Sequence, residues 1–97
     1  MALVTYLAEV ECVVVVPDGM LDTQVVKVPD EDGQGHTLRV PKGYLVENGG
    51  KHYLPVHLLR VDQYGRRAQV ELPQEADSGT SRIWVPFTRF RKKEGNG

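Results

Sequence analysis

The chain has 97 residues, 40% of them apolar and 26% charged, with a formal net charge of −1. That balance fits one compact globular unit and excludes a disordered, collagen-like or membrane-spanning composition. The single cysteine, Cys12, excludes an internal disulfide and makes a reducing, cytoplasmic home the simplest expectation.

The opening stretch Met1-Ala2-Leu3-Val4-Thr5-Tyr6-Leu7-Ala8 has no basic flank and runs into Glu9 and Glu11, so it reads as neither a secretory signal nor a membrane span. Residues 3–16 read as a long strand. Glu9 and Glu11 mark one face, and alternation puts Val10, Cys12, Val14 and Val16 on the other. The run Val13-Val14-Val15-Val16 is β-branched and apolar on both faces. It predicts that Val13 and Val15 meet the other half of the chain or a partner subunit.

Pro17-Asp18-Gly19 makes a turn, because proline presets one dihedral and glycine accepts a positive one. A strand over 21–28 follows, with Val26 and Val28 inward, then a solvated loop over 30–35 and a strand over 37–40. Asn48-Gly49-Gly50 punctuates the chain, which places the boundary between two halves there: 1–48, 49–92 and a frayed, disordered tail over 93–97. In the second half, 52–61 reads as a strand interrupted near Pro55, with Asp62-Gln63-Tyr64-Gly65 as its turn. Residues 66–72 alternate with Ala68, Val70 and Leu72 inward, 74–80 form a polar loop, and 82–85 return as a strand. No window keeps a 3.6-residue apolar period, so the expected class is all-β.

The halves resemble each other. At an offset of 44, Asp18, Val26, Pro29, Glu31 and Gly35 fall on Asp62, Val70, Pro73, Glu75 and Gly79; at 45, Val40 and Pro41 fall on Val85 and Pro86. Ordinary composition gives about two such identities by chance. One unit of about 45 residues used twice is too small to stand alone, so the halves should lean on each other. Leu38-Arg39-Val40-Pro41-Lys42-Gly43-Tyr44-Leu45 and Ile83-Trp84-Val85-Pro86-Phe87-Thr88-Arg89-Phe90 resemble the end of SH3-like small barrels. There an apolar-proline step enters one tight helical turn before a last strand closes the barrel. The resemblance implies two SH3-like repeats, packed together or forming one composite barrel, with a binding role toward peptides, nucleic acid or other subunits. An acidic, tyrosine-rich first strand and paired tryptophans are missing, which argues against proline-rich peptides.

Charge is unevenly spread. Residues 1–48 carry three basic side chains against eight acidic, net −5, and residues 49–97 carry nine against five, net +4. One reading is association with a protein partner or a second copy through opposite fields. The other is a nucleic-acid surface of Arg66, Arg67, Arg82, Arg89, Arg91 and Lys92, interleaved with Trp84, Phe87 and Phe90. A pI of 6.3 and an acidic half that repels a polyanion favour the first.

Enzyme chemistry finds little footing. His52 and His57, five apart on one strand, point to opposite faces; His36 is expected in the loop beside Gly35; and metal-ligand spacings such as Cys-x-x-Cys are missing. Asp30-Glu31-Asp32-Gly33 lacks the later glutamate of a calcium loop. No catalytic residue, metal or cofactor is therefore expected. If Ile83 and Val85 are core, Trp84 faces outward, where a tryptophan suits an interface better than a core. The expected partner-binding residues are Trp84, Phe87, Val13 and Val15. The expected function is a non-catalytic protein-binding or assembly module.

Overall fold

A computed structural model describes residues 7–18 and 22–92. The expected strand start at Leu3, the turn at Gly19 and the tail over 93–97 lie outside the described residues. Strands β1 (Leu7–Asp18), β2 (Thr23–Pro29) and β3 (Gly35–Pro41) lead into a 3-10 turn (Lys42–Tyr44) and β4 (Val46–Asn48). Then β5 (Lys51–Asp62), β6 (Arg67–Glu71) and β7 (Arg82–Pro86) lead into a second 3-10 turn (Phe87–Arg89) and β8 (Phe90–Lys92). Val40-Pro41 and Val85-Pro86 thus each enter one 3-10 turn and then a three-residue strand. The fold is all-β, a curled antiparallel sheet shaped as a half-barrel, in the order β3-β2-β1-β5-β6-β7.

Its centre is a staggered pair. Residues 7–12 of β1 lie against 57–52 of β5, and among the described residues each strand then runs on past the other. The overhang 13–18 of β1 pairs with β2, and the overhang 58–62 of β5 pairs with β6. Both overhangs slip register at matching places, between Val14 and Val16 and between Leu58 and Arg60. Pairings recur at the same spacing: Val14–Val26 and Val26–Leu38 in the first half answer Leu58–Val70 and Val70–Ile83 in the second. The shifts are 44 for β1 and β2 and 45 for β3, the offsets carried by the sequence identities. Three pairings cross the expected boundary: the central β1–β5 pair, β4 on β5, and β8 on β1.

Alternation builds the core. Val10 and Cys12 from β1, Val26 and Val28 from β2, Leu38 and Val40 from β3, Leu54 and Val56 from β5, and Val70 and Val85 from β6 and β7 are all buried. Each such side chain contributes about 1.5–3 kcal/mol when fully removed from water.

Three positions depart from the sequence expectation. Pro55 does not interrupt β5, which is continuous from Lys51 to Asp62. On the edge away from β1, β4 pairs only to Tyr53 and β6 begins at His57, so the proline falls in a gap where no ladder bond is lost. Glu9 points away from the core side chains as expected, yet it is buried, at 4% exposure, under Arg91. His36 lies within β3 rather than in the loop, and it too is buried.

Candidate functional site

Among the described residues, the two long strands leave one backbone edge unpaired along 13–18 and 58–62. Residues 13–18 have β2 on one side, and residues 58–62 have β6; among the described residues neither has a strand on the other side. Exposed apolar side chains gather on these segments: Val13 (58%), Val15 (46%), Leu59 (39%) and Val61 (41%). Among the described residues, Val13 and Val15 are thus left uncovered by the other half of the chain. A hollow lies beside each overhang. One of about 360 Å³ is lined by Glu11, Cys12, Val13, Val14, Gly50, Lys51 and His52. The other, of about 310 Å³, is lined by Val61, Gln63, Phe87, Phe90 and Lys92. Phe87 and Phe90 sit with ring centroids 6.4 Å apart and pack against the core, and the Phe87 N–H donates to the Arg66 carbonyl at 3.0 Å. That bond fixes the second 3-10 turn to the β5–β6 connection.

Trp84 faces outward, with Ile83 and Val85 buried, but its surface is shared. The Arg67 guanidinium lies 4.2 Å from the indole centroid, and its nitrogens reach Asp62 at 3.0 Å and Glu31 at 2.7 Å. The hydrogen bonds to Asp62 and Glu31 hold the guanidinium above its usual value, so it is charged at any working pH. Trp84 also accepts from the Glu31 N–H at 2.8 Å through its carbonyl, tying β7 to the β2–β3 loop. Truncating Trp84 is therefore expected to cost some stability as well as any binding. Strands β5 and β6 separate Trp84 from Val13 and Val15, so the expected partner residues are split between two surfaces.

The six basic residues are also unequal. Arg91 donates to buried Glu9 at 2.5 Å and stacks 3.9 Å from the Tyr53 ring centroid. Arg67 is held as described. Arg66, Arg82, Arg89 and Lys92 are exposed without an ion pair among the described residues.

Sequence reasoning missed a relay across the halves. His36 is buried between Asp30, whose Oδ2 lies 2.8 Å from Nε2, and Ser78, whose Oγ lies 3.1 Å from Nδ1. Acid, imidazole and hydroxyl are the elements of a nucleophilic triad. Of the neighbouring amides, Asp77 N–H donates to the Thr37 carbonyl and Gly79 N–H to the Ala76 carbonyl. Asp30 is similarly occupied, its Oδ1 accepting from the N–H groups of Asp32 and Gln34. The array acts as a tie between the β2–β3 and β6–β7 loops. Only the position of His36 opposite Val28 in the β2–β3 ladder, facing inward by parity, signalled it.

Burial, and secondarily Glu11, push the Cys12 thiol up to about 12, so it is neutral. It should resist alkylation by iodoacetamide in the native protein and react fully in denaturant; rapid native labelling would show that the first hollow opens to it. No group of three or more metal-ligating side chains occurs among the described residues, and none of their helices is long and apolar enough to cross a membrane. Comparison with family models, with curated proteins and with solved structures found no match.

Proposed function

We propose that the chain is a non-catalytic protein-binding or assembly module, built of two SH3-like repeats that share one composite barrel and work without a cofactor. The recurring register and the Val-Pro, 3-10 turn, short strand sequence in both halves support the repeats. The observation that carries the function is the placement of Val13, Val15, Leu59 and Val61. Among the described residues, these exposed apolar side chains fall on the two segments whose backbone has a strand on one side only, and an open apolar edge is a template for another chain.

A nucleic-acid surface is the second reading, favoured by exposed Arg66, Arg82, Arg89 and Lys92, of which Lys92 shares a hollow with Phe87 and Phe90. Four phosphate contacts give a logarithmic salt slope of only about 4 at roughly 0.9 each. Light scattering at low and high salt, with oligonucleotide binding followed by anisotropy, separates the two. Association that persists in high salt without oligonucleotide is expected. A monomer that binds oligonucleotide at low salt and releases it at moderate salt would overturn the assembly reading.

A further inference from the structure

We propose that the open edge of β1, residues 13–18, pairs antiparallel with the same edge of a second copy about a two-fold axis, so that the sheet runs on from one protomer into the next. This rests on reading the chain as a binding module and names its partner. The chain covers its outer strands with its own loops. On β3, the Thr37 carbonyl accepts from the Asp77 N–H at 2.7 Å and the Arg39 carbonyl from the Gln74 side-chain amide; on β7, the Trp84 carbonyl accepts from the Glu31 N–H. No such cover lies on the β1 overhang among the described residues.

Nor do the residues leading into β5 reach along it. Strand β5 ends its pairing with β1 at His52, and Gly49 and Gly50, at φ 62° and 82°, turn the backbone back into β4. The hollow of about 360 Å³ is left where a further strand would lie.

Side-chain chemistry selects the partner. Val13 and Val15 are exposed, and no charge occurs between Val13 and Val16, so an identical strand brings no like charge opposite itself. The second overhang reads Leu58-Leu59-Arg60-Val61-Asp62, and two-fold pairing centred there sets Arg60 against Arg60, which repels. Self-pairing of the β1 edge closes after two copies, whereas β1 on the β5 overhang of the next copy would build a ring or a filament.

The test combines mass and cross-linking in the full chain. Wild-type protein should scatter as twice its 10.9 kDa mass, and Val15→Lys or Val13→Lys should return it to a folded monomer whose melting temperature, unlike that of the wild type, does not depend on concentration. Under mild oxidation, Val15→Cys should form a disulfide-linked dimer at least tenfold faster than Leu59→Cys, since Cys12 is buried. A dimer that survives both lysine variants, or that cross-links faster through Leu59→Cys, overturns the edge assignment and leaves the module reading standing. A monomeric wild type also overturns it. The module reading falls only if that monomer binds oligonucleotide in the salt-dependent manner set out above.

Discussion

Leu54→Ala is expected to destabilise the protein by about 2–5 kcal/mol, the range for emptying a fully buried leucine site. For a domain of this size that lowers the melting temperature by roughly 10 °C or more. Leu54 is fully buried and lies opposite Val10 in the β1–β5 ladder, and Val10 in turn lies opposite Phe90 of β8. Truncation there opens a void in the row that joins both halves. Leu59→Ala, on an exposed overhang, should stay within about 0.5 kcal/mol. Urea titration of both variants is the check. Equal midpoints would mean that the central pair is not what holds the halves together.

His36→Ala should produce the second large effect, about 1–3 kcal/mol, because it strips a buried partner from Asp30 and Ser78 and frees the loops it ties. Its pH dependence has a definite sign. Burial pushes the Asp30 carboxyl up, but the His36 ring and the amides of Gln34 and Asp32 outweigh it and hold the group below its usual value. A depressed carboxyl stabilises the fold fully above its unfolded value of about 3.9 and loses that contribution as pH falls through the folded value. The gap between wild type and His36→Ala should therefore be widest at neutral pH and narrow on acidification below about pH 4. A constant gap between pH 7 and pH 2.5 in urea titrations would mean that the histidine does not act through Asp30.

The sheet was legible where two periodicities agreed. Alternation in 66–72 named Ala68, Val70 and Leu72 as inward, and the likeness of residues 38–45 and 83–90 to the end of a small barrel placed both 3-10 turns. Long-range pairing was not legible, because nothing in Pro55 reveals that its position falls between β4 and β6. Glu9 reads as a surface charge until Arg91, 82 residues away, is folded over it. The same limit applied to the candidate site. Composition grouped Trp84 with Val13 and Val15 as apolar outward residues, but strand order separates them. A tally of basic residues could not tell Arg67 and Arg91, which serve carboxylates, from Arg66, Arg82, Arg89 and Lys92.

The return of β8 to β1 also shapes how the protein comes into being. A chain emerging from the ribosome at about 5–20 residues per second delivers β1 many seconds before its β8 neighbour. Until Arg91 arrives, Glu9 has no guanidinium over it, and until Phe90 arrives, one flank of Val10 is bare. The first half can form its hairpins as it appears, but its oldest strand is sealed last. Completion of the sheet thus waits for residues 90–92.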